Sequence, residues 1–267
     1  MNEQKAGSSN SIEWTRIRRP DGTRMRGYTW NPVAGCQHGC QWTMPDGKTA
    51  ICYADSAASG IAKAAYPEGF AHHYWHPERL EEPLKVKEPS GIFLDSMSDL
   101  MGAWVPTEQI QQVLDICEKA HWHTFQLLTK NSPRLKQFDF PPNAWVGCSS
   151  PPDFMFGKPL DRKQQMAMLE RSLTCLAQEN VPVRWMSFEP LSWDCSSIVR
   201  RFAGVLKWAV IGAASNGRNY YPPKKSDLLA LLWVLDAQKC RVFFKGNLRS
   251  LPWAANHWRE EFPDWRQ

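Results

Sequence analysis

The sequence predicts an α/β fold in which a parallel sheet is wrapped by helices on its outside. Three observations predict it. Short apolar runs recur along the chain, segments of helical periodicity separate them, and polar residues stand at the end of every run.

The apolar runs read as buried strands are Ile92–Leu94, Phe125–Leu128, Trp145–Gly147, Val183–Met186, Trp208–Ile211 and Val242–Phe244. The clearest helical segment, Thr107–Ala120, places Ile110, Val113, Leu114 and Cys117 on one face, and Pro106 is its start signal. Arg162–Gln178, Asp194–Phe202 and Ser226–Gln238 follow, the last after Pro222 and Pro223. Strand–helix alternation of this kind builds a barrel-type sheet whose active site lies at the C-terminal strand ends. Those ends here carry Asp95, Ser96, Ser98 and Asp99, then Thr129 and Lys130, Cys148 to Ser150, Ser187 and Glu189, Gly212 to Asn216, and Lys245 to Asn247. One polar strand end is ordinary turn chemistry. Six in succession, with acids, lysines and hydroxyls, outline a lined pocket.

At 267 residues the chain suits one large barrel or two ordinary domains. No linker argues for a second core, so residues 31–267 are read as a single domain behind an N-terminal arm over 1–30. Composition is that of a globular protein, 43% hydrophobic and 22% charged. No stretch reaches the roughly 20 apolar residues of a membrane helix, and the start of the chain lacks the apolar core of a secretory signal. The cysteines outside residues 36–52 follow no framework spacing, so a reducing cytoplasm is the expected compartment.

The 14 tryptophans are unusual, and space filling is the expected role of most of them, with base stacking as the alternative. Net charge is +5. Arg16, Arg18, Arg19, Arg24 and Arg26 form the sharpest basic run, around a Pro20-Asp21-Gly22 turn and beside Trp14, Tyr28 and Trp30. It reads either as a solvated hairpin or as a nucleic-acid arm that contacts phosphates.

The chemistry is concentrated in Cys36, Cys40 and Cys52. Three thiolates are one short of a closed tetrahedral zinc site or a fully cysteine-bound iron–sulfur cluster. From spacing alone they suit a cluster with an open position, or a zinc site completed by His38 or another side chain. The stretch 41–51, with its Pro45-Asp46-Gly47 turn, has to fold back to bring Cys52 to the other two.

The stretches IEWT (12–15), WNPVAGC (30–36), CYAD (52–55), FLDSMSDL (93–100), HTFQLLTK (123–130), WVGCSS (145–150), VRWMSFEPL (183–191), WAVIGAASN (208–216) and FFKG (243–246) together span most of the chain. In them the chain resembles the phage-encoded three-cysteine-motif proteins, a radical-SAM-like group related to spore photoproduct lyase. The resemblance implies a partial (β/α)6-type TIM barrel of the radical-SAM kind. It implies a [4Fe–4S] cluster on Cys36, Cys40 and Cys52, with S-adenosylmethionine (AdoMet) on the fourth iron. The implied reaction is generation of a 5′-deoxyadenosyl radical, with a flavodoxin or ferredoxin as reductant and room for a partner protein encoded nearby. A nucleic acid or nucleotide is the implied substrate, for base modification or lesion repair.

The resemblance also implies roles for the strand ends. Asp95, Ser96, Ser98 and Asp99 would bind the methionine amino group, one of them serving as a helix cap. Ser187 and Glu189 suit ribose hydroxyls or that amino group, and Ser215 and Asn216 complete the cofactor set. Tyr53 would pack over the adenine. Lys130 and Lys245 would take the cofactor carboxylate or a substrate phosphate, and Cys148 would give a hydrogen atom to a substrate radical. The alternative function is a non-catalytic, zinc- or cluster-stabilised protein that binds nucleic acid or a partner.

Overall fold

The computed structural model describes residues 1–7, 11–216, 219–251, 253 and 255–264. An eight-stranded sheet forms its centre, with strands in the order of the chain: β1 (Asn2–Glu3), β2 (Arg26–Trp30), β3 (Ser90–Leu94), β4 (Thr124–Thr129), β5 (Ala144–Ser149), β6 (Val183–Phe188), β7 (Trp208–Ile211) and β8 (Arg241–Phe244). β1 pairs antiparallel with β2, and every later pair is parallel. The sheet curls into a half-barrel. The six runs read from the sequence are β3 to β8, each extended by one or two residues at an end or unchanged.

The sequence reading anticipates neither β1 nor β2. Residues 26–30 lie inside the stretch read as an arm, yet they pair with β3 in the register Arg26↔Ser90 to Trp30↔Leu94. Buried side chains among residues 14–25 of the arm pack against the sheet. Trp14, Ile17 and Met25 are all buried, and Arg18 bridges Arg24 across the expected turn.

Helices cover one face. They are α1 (Tyr53–Ser59), α2 (Glu82–Lys85), α3 (Thr107–Lys119), α4 (Arg162–Gln178), α5 (Ser196–Arg201) and α6 (Lys225–Ala237). The apolar side of α3 is the one its periodicity gives. Asp161 starts α4 through a capping box with Gln164. The larger core lies between these helices and the outward strand residues, among them Ile92, Leu94, Phe125, Leu127, Val146, Met186 and Phe188. None of the helices among the described residues is long and apolar enough to cross a membrane.

The inner face of the half-barrel has its own core. Phe93, Trp145, Trp185, Trp208, Val210 and Phe243 point into the lumen, and Trp14 fills it from the N-terminal segment. Trp14 stacks edge-on against Phe93 at 4.6 Å, Trp185 at 5.2 Å and Trp208 at 6.0 Å. At Gly147 a Cβ would fall 2.4 Å from the ring of Trp185, so the missing side chain is what admits that indole. Filling is the role these tryptophans take. The lumen is closed below, and the polar strand ends form a mouth above it.

Candidate functional site

The cysteines lie on the long crossover between β2 and β3, above the mouth. The chain turns into the cysteine loop at Gly35, which has φ +85° and would carry a Cβ 1.8 Å from the carbonyl oxygen of His72. Only glycine fits there. Its N–H donates to the Met97 carbonyl at 2.9 Å and its carbonyl accepts the Ser98 hydroxyl at 2.6 Å, which ties the loop to the end of β3. The Cys36 N–H then donates to the Phe70 carbonyl at 2.7 Å.

Residues 41–51 fold back as a β-hairpin. Gln41–Thr43 pairs antiparallel with Thr49–Ile51, and the Met44 N–H closes the turn on the Lys48 carbonyl at 2.7 Å. The ladder continues one step past Gln41 and Ile51, where the Cys52 N–H donates to the Cys40 carbonyl at 3.0 Å. Cys40 and Cys52 are therefore direct cross-strand neighbours, with Cα atoms about 4.5–5.5 Å apart in such a pair. The sequence separation that sets them apart is absorbed by the ladder.

All three thiols are free, Cys40 buried and Cys36 and Cys52 half-buried. Burial pushes the Cys36 thiol up, and the neighbouring Asp99 adds to it. Burial pushes Cys40 up to about 11, against the pull of Lys130. The Lys130 ammonium loses solvation, but Cys40, Cys52, Asp99 and Cys36 together hold its pKa above the usual value. Lys130 is thus the cation beside the three thiols.

Asp99 is the hub beneath them. Its carboxylate accepts the Lys130 N–H at 2.8 Å and the Met101 N–H at 3.1 Å, and it meets His38 Nε2 at 2.8 Å. Burial would raise its pKa, but the contacts from His38, Lys130 and Thr129 outweigh burial and lower it. His38, between Cys36 and Cys40, is buried against Trp104 and Phe156, and its Nδ1 has no partner. Asn31, at the end of β2, accepts the Ser96 hydroxyl at 3.1 Å and the Met97 N–H at 3.0 Å. Ser96, Ser98 and Asp99 therefore all brace the cysteine loop. Asp95 is buried with φ +52°; one oxygen accepts the Val33 N–H at 3.2 Å and the other has no partner.

Across the mouth, Ser187 is buried in register with Ser149. Glu189 is ion-paired with Lys245, and the pair closes over Gly212, where a Cβ would stand 3.1 Å from each side chain. The Asn247 side chain brackets the Ala213 peptide by accepting its N–H and donating to its carbonyl, both at 3.0 Å. Tyr53 is exposed at the rim, its hydroxyl donating to the Ser96 carbonyl. Ser215 is exposed on a hairpin in which Ala214–Asn216 pairs with Asn219–Tyr221. Asn216 shares that strand, but its side chain lies outside the described residues. The Tyr221 hydroxyl donates to Asp46, so this hairpin meets the cysteine hairpin above the mouth.

One sequence expectation is corrected. Cys148 does not face the lumen. On β5 the lumen side carries Trp145 and Gly147, while Cys148 lies in the helix-side core beside Ser172 of α4. Its thiol is fully buried there and cannot meet a substrate at the mouth. The five arginines of the basic run divide among different partners. Arg26 begins β2, at the far end of the strand, between Glu3 and Glu88. Arg18 and Arg24 meet Glu260, and Arg19 donates to Thr23. Arg16 offers its carbonyl to Arg24.

Sequence reasoning gives Asn31 and Asn247 no role. Asn31 lies inside the stretch 30–36 and Asn247 directly follows 243–246, at the ends of β2 and β8, and that placement is the signal that could have found their roles. Among the described residues no group of three or more His, Cys, Asp or Glu side chains converges on one metal position.

The half-barrel with three free cysteines above its mouth has the fold of spore photoproduct lyase. That lyase, complexed with dinucleoside spore photoproduct, aligns over 85% of this chain and 78% of its own with a TM-score of 0.54 at 9% identity. A single-substitution variant of it aligns over 88% and 80% with a TM-score of 0.52 at 8% identity. A radical SAM methyltransferase from Sphaerobacter thermophilus aligns over 85% and 71%, with a TM-score of 0.46 at 11% identity. At these identities the likeness is one of fold. The chain belongs to the family described as a protein of unknown function (DUF5131), whose sequence profile matches residues 9–247. No curated protein matches the sequence.

Proposed function

We propose that the protein is a radical AdoMet enzyme acting on a nucleic acid or nucleotide. The observation that carries this reading is the cross-strand pairing of Cys40 with Cys52 beside Cys36, above the mouth of a half-barrel. The donor set fits a [4Fe–4S] cluster. It consists of three free thiols from one braced loop, one short of a fully cysteine-bound cluster, with the Lys130 ammonium beside them. Cys36, Cys40 and Cys52 would hold the cluster, and the bound group supplies the electron that cleaves AdoMet to a carbon radical.

The protein's own part is positioning and exclusion. Lys130 offsets negative charge on the thiolates. Asp99 holds Lys130 and His38 in place, and Asn31 with Ser98 fixes the loop on the end of β3. The Glu189–Lys245 pair offers an acceptor and a donor to polar groups entering the mouth, with Ser187 beneath. The tryptophan-filled lumen keeps water from reaching the site from below. The nucleic-acid substrate is supported by the net charge of +5 and by the fold shared with a lyase whose structure holds a dinucleoside.

A second reading is supported by His38. Its Nε2 is held by Asp99 while its buried Nδ1 is unpartnered, which is how a carboxylate orients a histidine toward a metal. Were the three cysteines to close on that nitrogen, the four would make a closed zinc site and the protein a non-catalytic binding protein.

Metal analysis separates the two. The protein is purified without oxygen, and iron, sulfide and zinc are measured with paramagnetic-resonance spectra before and after AdoMet is added. About four irons per chain, with a reduced signal that shifts on adding AdoMet, is the expected result. One zinc and no iron after anaerobic reconstitution overturns the enzyme reading in favour of the second.

A further inference from the structure

Three guanidinium groups from opposite ends of the chain converge on one carboxylate. Arg18 and Arg24 belong to the N-terminal hairpin, and Arg249 follows β8. Glu260 contacts Arg24, receives Arg249 Nη2 at 2.8 Å and lies 3.9 Å from Arg18 Nη2. Three other arginines show the contrast, each matched by at least one carboxylate of its own. Arg201 has Glu170 to itself, Arg259 has Asp236, and Arg26 has two carboxylates. Around Glu260 one negative charge faces three positive ones, so the cluster keeps an excess of positive charge.

The cluster is also preorganised. The Arg249 guanidinium lies over the Trp258 ring at 4.5 Å and that of Arg24 over Phe262 at 5.9 Å. The Trp258 indole N–H donates to Glu260 at 3.1 Å. The side chains of Arg249 and Arg18 are 64% and 49% exposed, against 22% for Glu260. The carboxylate is the covered partner, and guanidinium donors it does not use face solvent. Glu260 bridges Phe243, two residues before Lys245, so the cluster lies along the β8 edge, with Arg249, four residues after Lys245, on its mouth side.

We infer that Arg18, Arg24 and Arg249, with Trp258, form a docking surface for the phosphate backbone of a nucleic acid that leads to the mouth at Lys245. The identity of the partner rests on the nucleic-acid reading above. The surface differs from the basic run seen in the sequence. It excludes Arg26, which is neutralised, and recruits Arg249 and Trp258 from the other end of the chain.

The test is fluorescence anisotropy with a fluorescein-labelled oligothymidylate over a salt series. It compares the wild-type protein, the double variant Arg18→Ala/Arg249→Ala, and Arg201→Ala as a balanced control. Each phosphate contact contributes about 0.7 to the salt slope on a single strand. The double variant is expected to lose about 1.4 from that slope, while the control keeps it. Glu260→Gln, which retains an acceptor but removes the negative charge, is expected to tighten binding. Melting temperature and circular dichroism confirm that all variants fold. Binding by wild type with an unchanged slope in the double variant, or weaker binding by Glu260→Gln, overturns the surface and leaves the nucleic-acid reading standing. No binding by wild type at low salt overturns both.

Discussion

Two aspartates four residues apart show how strongly a single environment decides a side chain's state. Asp99 is buried but surrounded by donors, so its carboxylate is held below the usual range. Asp95 is equally buried, but among the described residues only Val33 donates to it, and burial pushes its pKa well above the usual value. The folded state therefore binds the Asp95 proton more tightly than the unfolded chain does. Its contribution to stability is fully present below the unfolded pKa, about 3.9, and is lost as pH rises through the folded value. Asp95→Asn removes that titration, and asparagine tolerates the left-handed backbone at this position. The variant is expected to gain stability relative to wild type between pH 5 and pH 8, read from urea midpoints at both values. A difference that stays constant with pH would show that the Asp95 carboxyl does not titrate abnormally in the fold.

At the scale of elements, the hairpin over residues 41–51 is what makes a three-cysteine site out of widely spaced cysteines. The turn residues Pro45, Asp46 and Gly47 announce a reversal in the sequence, but the ladder register does not follow from them. Register comes from pairing, and pairing leaves Cys40 opposite Cys52. The ladder bonds alternate, so the bond between Cys52 and Cys40 places Trp42 and Ala50 in the next hydrogen-bonded pair. Ala50→Pro deletes a donor from that pair and disrupts the hairpin. The hairpin lies outside the eight-stranded sheet, so the melting temperature of the metal-free protein should change little. Iron retained after anaerobic reconstitution should fall several-fold. Full iron loading in this variant would mean that Cys52 reaches the cluster without the ladder. The same scale explains Cys148. A strand buried on both faces is apolar throughout, so its sequence does not say which side chains face the lumen. Only the paired sheet distinguishes Gly147 and Trp145 from Cys148.

Over the whole molecule, the sequence makes the parallel sheet from β3 onward legible, because each strand is an apolar run between helical periods. It hides β2, which reads Arg-Gly-Tyr-Thr-Trp and resembles the basic segment before it. It also hides the plug of the lumen, because that plug joins residues far apart in the chain: Trp14 meets Trp185 and Trp208, and the Gln126 side-chain Nε2 donates to the Trp14 carbonyl at 3.3 Å. The half-barrel has open edges, so its inner face needs filling from elsewhere, and the N-terminal segment supplies it. Trp14→Ala would leave a cavity among rings that belong to β3, β6 and β7. Such a loss typically costs about 3–5 kcal/mol, so the urea midpoint should fall markedly. Trp233→Ala is the control, since Trp233 is 63% exposed on α6 and its loss should change stability by about 0.5 kcal/mol or less. If Trp14→Ala instead left stability intact and abolished oligonucleotide binding, Trp14 would be a stacking surface rather than the floor of the barrel. The two roles separate cleanly because a floor is felt in the absence of any ligand, whereas a stacking surface is felt only in its presence.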